Sequence, residues 1–219
     1  RLARWVLSAP DGTGVAVLLA LNTGLRLGEL CALQFGDIDL KSGVVRVSKT
    51  VQRIPWEGGT RLAVQPPKSD SSRRAVPLPG DMAALLNRLP RSDSAQRYFL
   101  TGTDTPMEPR TMQYRYRALL KAAGIAYRNF HALRHTYASR CIERGVDVKS
   151  LSEMLGHADV RTTLQFYVHS SMEHKLRVIQ NICFLESSLK EDFSPSPPPS
   201  GGTEAEQFRA LLSKLSQMG

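Results

Sequence analysis

The spacing of the apolar residues changes twice along this chain, and those two changes constrain its fold more than any other feature. Up to Leu33 the apolar residues recur at helical intervals; from Asp37 they alternate; from Asp81 the helical interval returns. Ile38 and Leu40, then Val45, Val47 and the β-rich run to Val51, flank Lys41-Ser42-Gly43, which reads as a hairpin. A loop of Pro, Gly and charged residues follows, and Arg74-Ala75-Val76-Pro77-Leu78 supplies a third short strand. The predicted fold class is therefore α+β, mainly α-helical with a small three-stranded antiparallel sheet.

Residues 15–21 are the longest purely apolar run and read as a buried helix after the Pro10-Asp11-Gly12 turn. That helix ends at Asn22-Thr23-Gly24, where glycine supplies the left-handed closing residue. A second helix starts around Leu25, carries Leu27, Leu30 and Leu33, and has Arg26 at its entrance with Glu29 three residues on. Further helices are predicted over residues 81–89, over 109–123 with Pro109 in the first turn, and over 131–144 up to Gly145. Others run from the cap Asp147 to Leu155 before Gly156, around 162–167, and from 172 to about 190.

Residues 192–203, DFSPSPPPSGGT, change abruptly to Pro, Ser and Gly and read as a linker. Beyond it Thr203-Glu204-Ala205-Glu206 fits a capping box, and Phe208, Leu211, Leu212 and Leu215 form one apolar stripe. A helix of ~15 residues is marginal alone, so residues 204–219 are expected to dock on a partner surface. The expected organisation is a domain over 1–191, the linker, and the docking helix. The chain begins with Arg1 and not Met, in sequence that already reads as structured, so it is expected to be part of a longer protein.

The 29 Lys and Arg against 20 Asp and Glu give a net charge of +9 and a pI near 9.8. That balance predicts attraction to a polyanion and says nothing of fold. Cys31, Cys141 and Cys183 are odd in number and lack CxxC pairing, so they read as small core residues in a reducing compartment. The seven-residue apolar run falls far short of the ~20 residues a membrane helix needs, so no membrane partner is expected.

Chemistry concentrates in residues 131–169, HALRHTYASRCIERGVDVKSLSEMLGHADVRTTLQFYVH. His131 and Arg134 share one helix face; His157 follows a Leu-Gly pair and Tyr167 lies ten residues beyond. Any one of these alone is more often structural than catalytic. Together with Arg26 and Lys68 they match what metal-free phosphodiester cleavage requires. Arginines clamp the non-bridging oxygens with planar, permanently charged forks. Lys68 can protonate the leaving 5′ oxygen, since a lysine among cations has a lowered pKa. His131 can accept a proton or donate to the phosphate, and His157 can donate. Tyr167 is the candidate nucleophile, and a covalent phosphotyrosine would conserve the bond energy for rejoining. No cofactor and no metal are called for: His131 and His135 mimic a zinc pair, but no HExxH is present.

In these motifs the chain resembles the catalytic domain of the tyrosine recombinase, or phage-type integrase, family. The resemblance covers residues ~10 to ~185: TGLRLGEL (23–30), PPKSDSSRRAVPLP (66–79), HALRHTYAS (131–139) and LGHADVRTTLQFYVH (155–169), in that order. It implies that family's catalytic-domain fold and roles for Arg26, Lys68, His131, Arg134, His157 and Tyr167, with Glu29 supporting Arg26. His135, directly after Arg134, is expected to point away from His131 and to support the pocket from behind. Arg53, Arg61, Arg73, Arg74 and Arg161 are candidates to face a DNA backbone.

The resemblance further implies a site-specific recombinase that acts on double-stranded DNA through a 3′-phosphotyrosine and a Holliday junction. Its expected state on DNA is a homotetramer with the C-terminal tail docked in trans, its compartment the bacterial cytoplasm with the nucleoid. The ten-residue spacing from His157 to Tyr167 resembles integrases of phages and conjugative transposons, which adds an excisionase-type accessory protein as a partner. The family's N-terminal DNA-binding domains are expected to lie outside this chain. Two other functions remain open: relaxation of DNA in the manner of a type IB topoisomerase, and DNA binding without catalysis. Tyr137 is a rival nucleophile, Lys49 a rival to Lys68, and His169 reads as a surface residue.

Overall fold

A computed structural model describes residues 2–8, 11–67, 69–90 and 92–165, all within the unit Arg1–Lys175. Its helices are α1 (Leu2–Ser8), α2 (Gly12–Thr23), α3 (Leu27–Cys31), α4 (Gly80–Asn87), α5 (Pro109–Ala122), α6 (His131–Glu143), α7 (Val148–Leu155) and α8 (Arg161–Leu164). The strands are β1 (Ile38–Asp39), β2 (Val44–Val47), β3 (Thr50–Trp56), β4 (Gly59–Gln65) and β5 (Arg74–Pro77). Lys68, Tyr167, His169, Cys183, the helix expected over 172–190, the linker and the terminal helix lie outside the described residues.

The described elements pack around α2. Its sequence has no polar face, and a helix apolar all round is stable only when enclosed; α1, α4, α5 and α6 all pack against it. Asp11 caps its start by accepting the Gly14 N–H at 2.6 Å, and Gly24, at φ 65°, closes its end by donating to the Ala20 carbonyl at 2.9 Å. The main core joins Val17 and Leu19 of α2 to Leu25, Leu30, Val45, Val76, Met112 and Leu133. A smaller cluster of Ala138, Ile142, Leu151 and Leu155 fastens α7 to α6.

The expected three-stranded antiparallel sheet is present in the order β1-β2-β5, with Val45 opposite both Ile38 and Val76. Two expectations need correction. Residues 54–65, read as loop, lie mostly in the β3–β4 hairpin, a separate two-stranded sheet paired from Thr50↔Gln65 to Trp56↔Gly59. It escapes a periodicity search because only its base is buried, at Val51. Pro55 is tolerated because a two-stranded ribbon leaves an open edge on each strand. The helix after Gly24 is also shorter than its leucine spacing suggests: α3 ends at Cys31, and Leu33 is buried beyond it.

Candidate active site

The site begins with the end of α2. Gly24 turns the chain, and Arg26 sits in extended conformation at the N-cap of α3. Glu29, in the first turn, reaches back: its Oε2 accepts the Arg26 backbone N–H at 2.8 Å and its Oε1 accepts Arg26 Nη1 at 2.8 Å. These two bonds to one carboxylate fix the arginine's backbone as well as its fork. Arg26 Nη2 donates to the Gly156 carbonyl at 2.9 Å. Gly28 lets α3 touch β3 closely, since a Cβ there would stand 2.5 Å from Thr50 Oγ1 and 2.7 Å from the Val51 carbonyl. The result is a cleft of about 300 Å³ lined by Arg26, Glu29, Thr50, Gln52, Pro67 and Ser72.

Arg134 enters from α6 and is buried. Its Nη1 donates to the Gly24 carbonyl at 2.9 Å and its Nη2 to the Leu155 carbonyl at 2.6 Å. Both arginines thus hold the C-terminal end of α7, where helix carbonyls lack intrahelical partners. Gly156, in the left-handed region at φ 66°, ends that helix and delivers His157. The imidazole is fixed by its Nδ1, 2.8 Å from Thr163 Oγ1 on α8, which leaves Nε2 for another partner. His131 lies on α6 one turn before Arg134, exposed.

Charge in the site is predominantly positive, and the histidines register it. Burial, then Arg134, Arg26, Arg74 and His131, push His157 down to about 4. Burial, then His135, Arg134 and Arg26, lower His131. Arg134 is brought down to about 9 by burial and by Arg26 and Arg74, against a raising effect of Glu29, and stays a cation at neutral pH. Three guanidiniums against one carboxylate, with two neutral imidazoles beside them, make a site suited to an anion.

The structure therefore brings Arg26, Glu29, His131, Arg134 and His157 together, from α3, α6 and the α7 C-terminus. Pro67 and Ser72, on either side of Lys68, line the same cleft. Lys49 is engaged elsewhere, 3.3 Å from Asp37 and hydrogen-bonded to Gln34. Tyr137 is a poor rival nucleophile: burial raises its pKa, and its hydroxyl points to Met154 Sδ at 3.5 Å.

Three expectations about surrounding residues change. His135 does not point away from His131; four residues apart on one helix, the two rings stack edge-to-face at 4.7 Å. Arg74 does not face outward: its side chain is 5% exposed and grips Glu29. Arg53 is exposed, but its charge is matched by Glu108 at 2.9 Å. Arg61 lies 3.5 Å over the Trp56 ring on the hairpin, Arg73 is exposed, and Arg161 is exposed and paired with Asp159. Sequence reading also passed over a basic stripe on α5. Arg110, Arg117 and Lys121 are exposed on one helix face, with Arg110 5.8 Å from the Tyr114 ring and Arg117 5.4 Å from that of Tyr127. Their spacing of seven and four residues was the available signal.

Among the described residues no helix is long and apolar enough to cross a membrane, and no group of acidic, His or Cys side chains is arranged to hold a metal ion. A family model described as the phage integrase family matches residues 9–174. The chain is 34% identical over 185 residues to a tyrosine recombinase XerC-like protein of Caldanaerobacter subterraneus subsp. tengcongensis, covering 75% of this chain and 47% of that protein. It spans about half the length of the curated relatives it matches. Its fold is similar to that of the Tn1549 transposon integrase in complex with a circular intermediate DNA (TM-score 0.65, 21% identity, 83% of this chain and 63% of that one). It is also similar to the catalytic domain of bacteriophage HP1 integrase (TM-score 0.53, 20% identity, 92% and 94%).

Proposed function

The chain belongs to the phage integrase family, and from that premise we propose that it is the catalytic part of a tyrosine-type site-specific DNA recombinase. The observation that carries this reading is the meeting of Arg26, His131, Arg134 and His157 around the α7 C-terminus in a site rich in positive charge. Each arginine has five guanidinium N–H donors, and a phosphodiester placed there meets those not already given to Glu29 and to the Gly24, Leu155 and Gly156 carbonyls. Those donors neutralise the non-bridging oxygens as charge builds in the transition state.

Tyr167 attacks phosphorus through its phenolic oxygen. The bond from phosphorus to the 5′ oxygen breaks, Lys68 protonates that oxygen, and the DNA is left as a 3′-phosphotyrosine. His131, neutral near pH 7, accepts the phenolic proton, and His157 donates from Nε2 to a phosphate oxygen. Rejoining reverses these steps with a 5′-hydroxyl of the exchanged strand, and paired exchanges pass through a Holliday junction.

Support for double-stranded DNA as partner comes from the net charge of +9, the α5 stripe and the DNA-bound state of the Tn1549 relative. The ten-residue spacing from His157 to Tyr167 favours an integrase of a mobile element, acting in integration and excision as a tetramer with the tail from residue 192 docked in trans. In that setting an excisionase-type accessory protein would set direction, and the compartment would be the bacterial cytoplasm.

The test is a nicked suicide duplex carrying the element's end. The 219-residue chain should form an SDS-resistant covalent adduct that is absent in Tyr167→Phe. Binding without any adduct would leave a DNA-binding protein, and relaxation of plasmid DNA with no strand transfer between paired sites would make it a topoisomerase.

A further inference from the structure

We infer that Arg74 is a positioning residue of this site: it takes up the charge of Glu29 so that the charge of Arg26 stays available to the scissile phosphate. The inference rests on the cleavage reading above. Glu29 sits between two arginines and accepts four N–H groups. Arg26 supplies its backbone N–H to Oε2 and its Nη1 to Oε1, each at 2.8 Å. Arg74 supplies Nη1 to Oε1 at 3.0 Å and Nη2 to Oε2 at 2.9 Å, the bidentate fork that only a guanidinium can present. Glu29 and Arg74 are buried together, with side chains 4% and 5% exposed, whereas that of Arg26 is 36% exposed on the cleft. The buried arginine is therefore the carboxylate's main partner, and the open one faces the cleft.

Burial by itself would raise the Glu29 pKa, yet it lies below the usual carboxylate value, with Arg74 the leading cause of the lowering. Without Arg74 the buried carboxylate would have Arg26 as its one hydrogen-bonded cation, and the net charge of the three guanidiniums and one carboxylate would fall from +2 to +1 where the phosphate needs it. Arg74 also joins the parts of the site. Its Nε donates to the Met154 carbonyl at 2.6 Å and its Nη1 to the Ser72 carbonyl at 3.0 Å. Those bonds tie the loop around Lys68 to the helix end that carries His157. Gly156 leaves the passage for it, since a Cβ there would lie 2.9 Å from Arg74 Nη1 and 3.1 Å from its Cδ.

A purely structural role and a charge-relieving role predict opposite results when the carboxylate is removed as well. The experiment compares the unsubstituted chain, Arg74→Met, Arg74→Lys and the double variant Glu29→Gln/Arg74→Met. It reads the rate of adduct formation at saturating protein on the suicide duplex, the Kd for the intact duplex, and the thermal midpoint as a check on folding. Arg74→Met should slow adduct formation by about 100-fold, the scale of losing one transition-state donor, while Kd changes by no more than ~3-fold, as expected for an interaction made chiefly in the transition state. Adding Glu29→Gln should recover at least ~10 of those 100-fold, because Arg26 no longer faces an uncompensated carboxylate.

A double variant as slow as Arg74→Met, or Arg74→Met cleaving at the unsubstituted rate, would overturn the inference and leave the cleavage reading standing. If Arg74→Met does not fold, Arg74→Lys decides: a loss within ~10-fold supports the role, since one cation remains, and a loss of ~100-fold or more in a folded, DNA-binding protein overturns it. Absence of any adduct from the unsubstituted chain would instead remove the cleavage reading, and this inference with it.

Discussion

The surroundings of His157 set its protonation state, and that has a consequence for stability. Its pKa is about 4 in the folded chain, lowered first by burial and then by the arginines around it, against about 6.5 when unfolded. The unfolded chain therefore binds more protons between those values, so stability is fully present above pH ~6.5 and is lost as pH falls toward 4. His131, shifted the same way, adds to that slope. The thermal midpoint should drop from pH 7.5 to pH 5, and less steeply in His157→Gln; an unchanged slope would contradict the assignment. Arg134→Ala should abolish cleavage while DNA binding survives, and cost about 1–3 kcal/mol of stability by orphaning the Gly24 and Leu155 carbonyls. Urea unfolding and a gel-shift assay measure both parts. The gathering of Arg26, His131, Arg134 and His157 was legible in the sequence because each sits in a short local motif. Arg74 was not. It reads like its neighbour Arg73, and its burial depends on Glu29, 45 residues earlier in the chain. His135 lies beside His131 because a four-residue interval on a helix brings two side chains together, which adjacency to Arg134 does not reveal.

At the scale of elements, α4, α5, α6 and α7 follow from apolar spacing, caps and glycines, because each buries a defined face, and α2 follows from being apolar all round. The β3–β4 hairpin projects from the body with little of its length buried, so its strands carry no inward-facing pattern to read. It is tied to the body at its base, where Gly28 of α3 meets Thr50 and Val51, and by the pairing of Arg53 with Glu108. Gly28→Ala should force these apart, destabilising the protein by about 1–3 kcal/mol as overpacking does, and should slow cleavage by widening the cleft beside Arg26. A chemical-denaturation midpoint equal to that of the unsubstituted chain would show that the hairpin yields freely. The α5 stripe makes a different kind of prediction. If Arg110 and Arg117 lie along DNA phosphates, replacing both with Ala should reduce the slope of log K against log salt by about 2 and weaken binding to all sequences alike. An unchanged slope would place α5 away from the DNA.

At the largest scale, the described residues join a helical body to one small sheet and one hairpin, and the site lies where α3, α6 and the end of α7 meet. Positive charge exceeds negative over the whole sequence and more so inside the site, which matches a polyanionic partner at both scales. The fold class was legible because a single β block interrupts a helical chain. The meeting of Arg26 from the start of α3 and Arg74 from β5 on one carboxylate was not, since no local pattern records it. The claim that ties these scales together is that the site activates Tyr167 against a DNA phosphate. The most direct measurement is mass spectrometry of the trapped protein–DNA adduct after digestion, with mapping of the linked nucleotide. A 3′-phosphate on the peptide containing Tyr167 is the predicted result. Linkage through Tyr137 or any other side chain, or to a 5′-phosphate, would contradict it.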